Sequence, residues 1–245
     1  MANNNQKTPL ISLRDIHFGY PGGPQILRGL DFDLFPGERV GLVAPNGSGK
    51  TTLFHVIMGL LKPTGGRIRL FDRPVETETD FTVVRRRIGL LFQDADDQLF
   101  SPTVLEDVAF GPLNLGKSRE DAIAVARRTL DRLGLNGFED RVTFRLSGGE
   151  KRLVSLATIL AMEPEVLLLD EPTTGLDDQT RHTLTHLICN LELAYVVISH
   201  NARFLSETTD KTYSMEDGRI QLDEVVHFHE HVHAHRHGQV PHRHD

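Results

Sequence analysis

The sequence predicts an α/β protein: a parallel sheet covered by helices on both faces, with a largely helical block set into it. Short aliphatic and β-branched runs alternate with helix-period segments at both ends of the chain. Gly-rich turns punctuate the first 92 residues. Residues 93–164, in contrast, read mostly as helix.

The elements follow in order. Leu10–Ile16, Leu30–Leu34 and Arg39–Val43 read as strands. Lys50–Leu60 reads as a helix, stopped by Lys62-Pro63 and the Gly65-Gly66 turn. Ile68–Phe71 and Ile88–Phe92 are further strands. In the helical block, Ser118-Arg119-Glu120-Asp121 approximates a capping box, with Asp in place of Glu or Gln. Ile123, Ala126, Leu130 and Leu133 then recur at helical spacing, and Gly134 ends the helix. Ser147–Met162 is another helix. Strand Val166–Leu169, helix Asp177–Asn190 and strand Tyr195–Ile198 restore the alternation, and a hairpin turning at Asp217-Gly218 closes it. Residues 1–222 are therefore expected to form one domain with 93–164 inserted, followed by a distinct segment, 223–245.

Composition narrows the function. With 39% of its 245 residues hydrophobic, the chain has enough apolar material for a core, which excludes wholesale disorder. A net charge of −7 argues against a nucleic-acid partner held by bulk charge. Cys189 is the single cysteine, so no internal disulfide forms, which fits a reducing cytosol. No apolar stretch approaches the roughly 18 residues of a membrane helix, and the opening MANNNQKTPL has no apolar signal-peptide core. A cytoplasmic protein is expected, held at a membrane only through another protein.

Ala44-Pro45-Asn46-Gly47-Ser48-Gly49-Lys50-Thr51-Thr52 lies between a strand and a helix and fits a phosphate loop. Gly47 and Gly49 let successive backbone N–H groups wrap an anion, and the helix N-terminus adds its dipole. Lys50 is placed to reach β- and γ-phosphates, and the Thr51 hydroxyl to ligate Mg²⁺. Ala44 stands where the pattern has its first Gly, which costs on the order of 1 kcal/mol if a positive φ is required there. Asp170 and Glu171 end the Val166–Leu169 strand, at the sheet edge where ligands bind. Asp170 supplies carboxylate oxygen for Mg²⁺. Strand alternation points Glu171 the other way, free to polarise an attacking water.

Leu146-Ser147-Gly148-Gly149-Glu150 resembles the signature of ABC-type ATPases. The phosphate loop, Asp170-Glu171, Gly175-Leu176-Asp177 and Ser199-His200 stand with it in that family's order, over residues 10–222. The resemblance implies a RecA-like P-loop ATPase core with an antiparallel β subdomain and an inserted α-helical subdomain, binding ATP and Mg²⁺. It implies that Tyr20 stacks on adenine and that Gln93 touches Mg²⁺ and the attacking water. It implies that Ser147 and Gly149 contact the γ-phosphate held by another subunit, that Asp177 links the two sites, and that His200 holds γ-phosphate. The signature opens a second helix N-terminus, and one triphosphate has use for both ends only if two chains meet head to tail. Every catalytic position is filled here, so a homodimer is expected.

Phe92–Val104 together with Glu106–Pro112 is similar to the ATPases of energy-coupling-factor importers, which include cobalt, nickel and vitamin uptake systems. That similarity implies that transmembrane importer subunits dock near 93–112, with Leu99, Phe100 and Val104 exposed to receive them. His227, His229, His231, His233, His235 and His237 alternate, and His242 and His244 follow. Extended or helical, such a segment offers several imidazoles on one face, suited to Ni²⁺, Co²⁺, Zn²⁺ or Cu²⁺. A solvated tail is the competing reading. His17, His55, His182 and His186 suggest no role. The expected function is the ATPase of a nickel or cobalt importer. The rivals are a vitamin importer of the same type, or a soluble metal-storage or chaperone protein with a regulatory nucleotide site.

Overall fold

The structure, a computed structural model, describes residues 8–45 and 47–225; Asn46 and the histidines from His227 to His244 lie outside the described residues. A four-stranded antiparallel sheet has the order β2-β1-β4-β5, formed by β1 (Ile11–Gly19), β2 (Gln25–Leu34), β4 (Gly65–Leu70) and β5 (Arg73–Pro74). A six-stranded sheet has the order β10-β9-β3-β8-β7-β6, formed by β3 (Arg39–Val43), β6 (Ile88–Leu91), β7 (Val166–Asp170), β8 (Ala194–Ile198), β9 (Lys211–Glu216) and β10 (Arg219–Val225). In it β9, β3, β8, β7 and β6 run parallel, and β10 pairs antiparallel to β9.

Around these sheets lie α1 (Lys50–Ile57), α2 (Glu78–Val84), α3 (Val104–Asn114), α4 (Arg119–Arg132), α5 (Gly148–Leu160), α6 (Asp178–Cys189) and α7 (Ala202–Thr208). The block formed by α3, α4 and α5 is spliced between β6 and β7, which are direct neighbours in the sheet. β6, β7 and β8 are buried along their whole length, which explains their unbroken apolar sequence. Their alternate residues feed two cores. Leu168 and Val196 join α1 and the antiparallel sheet on one face, whereas Leu167, Leu169 and Val197 join α4, α5 and α6 on the other.

Most departures from the sequence reading have local causes. β1 continues past the polar Asp15 because the strand bulges there: Asp15 takes φ +53°, and its N–H donates to Asp31 Oδ1 at 2.9 Å. α2 was not expected; a reciprocal Thr77–Asp80 capping box starts it. α7 is a further short helix, capped by Asn201. β10 runs through Val225, beyond the 222 boundary, and pairs Val225 with Tyr213. Among the described residues no helix is long and apolar enough to cross a membrane.

The β9–β10 turn combines Asp217 at φ +48° with Gly218 at φ +73°. A Cβ on Gly218 would lie 2.0 Å from the Ile26 carbonyl oxygen. Gly218→Ala is therefore expected to destabilise the fold by at least about 1–2 kcal/mol, from backbone strain alone. An unchanged urea midpoint would contradict this seating of the hairpin on β2.

Candidate functional site

The order β3-β8-β7-β6 sets four parallel strands side by side, so their C-terminal ends open on one edge. The glycine-rich loop follows β3, His200 follows β8, Asp170 ends β7 and Gln93 follows β6. One cavity of about 410 Å³ is lined by Gly47, Gly49, Lys50, Thr51, Thr52, Gln93, Asp170, Glu171 and His200, with Ile26 and Thr174. Ser48 lines the adjoining cavity, which shares Gly47 and Ile26. Residues distant in sequence thus meet where the phosphate-loop reading requires.

Gly49 is the N-cap of α1 at φ +98°, and among the described residues no side chain caps that helix end. Its first N–H groups are left to an anion. Ala44 is not among the residues with positive φ, so the missing first Gly introduces no strain. Lys50 is buried, and its ammonium donates to the carbonyls of Ala44 at 2.6 Å and Pro45 at 2.9 Å. Burial pushes its pKa down, and the charges of Glu171 and Asp170 partly restore it.

Thr51 Oγ1 donates to Asp170 Oδ2 at 2.7 Å. Burial raises the Asp170 pKa against the pull of that hydrogen bond and of Lys50. Glu171 lies beyond the end of β7, so strand alternation does not govern it, contrary to expectation. Its φ of +44° and the hydrogen bond from its N–H to Ile198 O at 2.9 Å accompany a carboxylate that lines the same cavity as Asp170. Glu171 Oε2 accepts from Thr174 Oγ1 at 3.2 Å, and Oε1 lies 3.2 Å from His200 Nε2. The same imidazole nitrogen is 3.3 Å from Lys50 Nζ, so it stands between an ammonium and a carboxylate.

Other sequence-predicted residues lie elsewhere. Ser147 caps α5 in a capping box with Glu150, whose pKa is held down chiefly by Arg141. Asp177 caps α6, accepting from Thr180 N at 2.9 Å and Thr180 Oγ1 at 2.7 Å, and these bonds lower its pKa. A Cβ on Gly149 would lie 2.8 Å from the Thr180 methyl, so the two helix starts adjoin. Neither Ser147, Gly149 nor Asp177 lines the phosphate cavity of its own chain. Tyr20 is also outside that lining; it is half-exposed and meets Phe18 edge-on at 5.1 Å.

The docking expectation needs correction. Val104 is fully buried in the first turn of α3, facing the helical core, and Leu99 is partly buried against that core. Phe100 is 66% exposed, and Phe144, which the sequence reading missed, is 72% exposed. Both line a groove of about 290 Å³, and Phe100 packs edge-on against the exposed Phe110. Thr174 was missed as well, although it lies within Pro172–Asp177 directly after the acidic pair. Among the described residues no group of three or more His, Cys, Asp or Glu is arranged to hold a metal.

A protein-family model for the ABC transporter matches residues 27–174. The chain is 41% identical over 215 residues to the energy-coupling factor transporter ATP-binding protein EcfA of Methanocaldococcus jannaschii, covering 86% of this chain and 77% of that protein. It superposes with a TM-score of 0.79 on CbiO1 of Clostridium perfringens, described as part of the ABC transporter complex cbiONQ, at 32% identity and 88% coverage of each chain. A dimeric ATP-binding cassette in a post-hydrolysis state, bound to ADP and Pi, gives a TM-score of 0.78 at 27% identity, covering 86% of this chain and 96% of that one. The chain belongs to the ABC transporter family, and it is an ATP-hydrolysing cassette of the energy-coupling-factor type.

Proposed function

We propose that this cassette powers uptake of a divalent metal cation, nickel or cobalt, through membrane subunits docked on its helical block. The observation that carries the cargo is the run of alternating histidines from His227 to His237, an imidazole-rich segment suited to these ions, in a cassette of this type. The chain works at the inner face of the membrane, and the exposed Phe100, Phe110 and Phe144 suit an apolar helix of a partner.

The geometry of the site supports the following roles. The loop N–H groups from Gly47 to Thr52 and the Lys50 ammonium hold the phosphates. The donors nearest them are hard oxygens, with the buried Asp170 carboxylate bonded to the Thr51 hydroxyl, and this set, completed by Gln93, fits Mg²⁺. Bound Mg²⁺ supplies charge neutralisation at the β- and γ-phosphates. Glu171 Oε1, buried beside His200, takes the proton of the attacking water, and His200 orients the γ-phosphate. Tyr20 supports adenine. Ser147, Gly149 and Asp177 lie away from their own phosphate cavity, which supports their service to the nucleotide of a second, head-to-tail copy. The dimeric form of a similar cassette supports the same reading.

The test compares ⁶³Ni and ⁵⁷Co accumulation in cells expressing the membrane partners with the full chain, with a chain ending at Val225, or with none. The cut preserves β10. Accumulation should require the chain and fall by about twofold or more on truncation, because a local ligand store raises the metal available for uptake. MgATP hydrolysis should be unchanged. Accumulation no greater than without the chain overturns the metal cargo and favours the vitamin importer. Accumulation that the truncation leaves unchanged removes the tail's support for it.

A further inference from the structure

The loop that carries Gln93 is bound to the signature helix rather than left as a free connection. Arg152 of α5 is only 4% exposed. Its guanidinium donates through Nη1 to the Phe92 carbonyl and through Nη2 to the Gln93 carbonyl. Gln98 adds a second fastening, donating to Ser155 O at 2.7 Å and to Thr158 Oγ1 at 2.8 Å, both on α5. Lys151 of the same helix pairs with Asp96. Residues 92–98 are thus fastened to α5 at three places, although they leave directly from β6 of the parallel sheet.

We propose that Arg152 is a positioning residue: it fixes Gln93 to the helix that begins at Ser147, so that one movement of α5 carries both. The planar fork of arginine suits two adjacent carbonyls, which a lysine ammonium meets only as a point donor. Burial pushes the guanidinium's pKa down, and the charges of Asp94 and Asp170 counter this only in part. In a head-to-tail pair, α5 presents Ser147 to the neighbour's nucleotide while Arg152 holds Gln93 at its own. Retreat of the helical block then withdraws a group from both sites at once. Arg152 is not among the residues lining the phosphate cavity and is taken to act through Gln93, so the inference rests on the role proposed above for Gln93.

The experiment is a double-mutant cycle on the full chain, following MgATP hydrolysis for wild type, Arg152→Met, Arg152→Lys, Gln93→Ala and the Gln93→Ala/Arg152→Met pair. Arg152→Met is expected to lower kcat about tenfold, with KM for ATP within about twofold, since the loop, Lys50, Thr51 and Asp170, which carry most of the MgATP binding, stay in place. Arg152→Lys should recover roughly threefold of that loss through its single charged head. In the Gln93→Ala background, Arg152→Met should change kcat by less than about twofold, because residues acting through one group are not additive. A wild-type kcat in Arg152→Met, a raised KM with kcat intact, or a full second loss in the double variant overturns the proposal. Where Arg152→Met does not fold, Arg152→Lys replaces it in the cycle, and losses that multiply there overturn it equally. A Gln93→Ala variant with normal kcat overturns the Gln93 role and this inference with it; a slow Gln93→Ala variant with independent Arg152 effects overturns the inference alone.

Discussion

Glu171→Gln is expected to lower ATP turnover by about 10²–10⁴-fold, the usual contribution of a positioned general base, while leaving MgATP binding and ATP-dependent pairing of the chain intact. The substitution is nearly isosteric in a side chain that is buried and held by local contacts. The amide oxygen can still accept from Thr174, as Glu171 Oε2 does at 3.2 Å. The N–H that donates to Ile198 O and the turn at φ +44° are properties of the backbone that glutamine does not alter. What disappears is a carboxylate able to take a proton at Oε1, 3.2 Å from His200 Nε2. In the head-to-tail pair proposed above, ATP would favour the closed pair over separate chains and hydrolysis would remove that preference, so a blocked proton transfer should accumulate the pair. Phosphate release and light scattering in MgATP report the two effects separately. Normal turnover by this variant would sink the role given to Glu171.

The parallel sheet, the phosphate loop and the hairpin were legible because local chemistry decides them. Arg39–Val43 coincides with β3, and Asp217-Gly218 forms the turn read from its residues. The inserted block was legible as a loss of strand patterning between Phe92 and Val166. What escaped was set by tertiary packing. Val104 and Phe100 are both apolar and four residues apart, yet one is buried in α3 and the other stands in solvent. The difference arises because Val104 opens a helix capped by Thr103, whereas Phe100 lies in the preceding bend, where Asp107 accepts from its backbone N–H at 3.2 Å. Alternation has no hold on Glu171, because β7 ends at Asp170 and the backbone turns there at φ +44°. Arg152 gave no signal: an arginine in the second turn of an amphipathic helix ordinarily reaches water, and only the fold brings the Phe92 and Gln93 carbonyls to it.

Lys50→Ala, by contrast, is expected to act first on nucleotide binding, weakening it by roughly 10²-fold or more. The loop's own Ala44 and Pro45 carbonyls accept from the ammonium at 2.6 and 2.9 Å, which holds the cation inside the cavity. Hydrogen bonds to a charged group contribute about 1.5–3 kcal/mol each, so losing two that the ammonium would donate to the phosphates lowers MgATP affinity by roughly 10²-fold or more. A second effect runs the same way. Lys50 is one of the cations whose charge partly offsets the burial of Asp170, and without it the cavity presents Asp170 and Glu171 to an anionic ligand with less compensation. Alanine also leaves the two loop carbonyls without their donor, and the loop loses the contact that shapes it. The decisive comparison places Lys50→Ala in the Glu171→Gln background, where hydrolysis cannot obscure binding. The single Glu171→Gln chain should pair in MgATP, and the double variant should remain unpaired at the same nucleotide concentration. Calorimetric titration should find its affinity at least about 10²-fold weaker. Wild-type affinity in Lys50→Ala would mean that the triphosphate is held somewhere other than the cavity at the ends of β3, β6, β7 and β8.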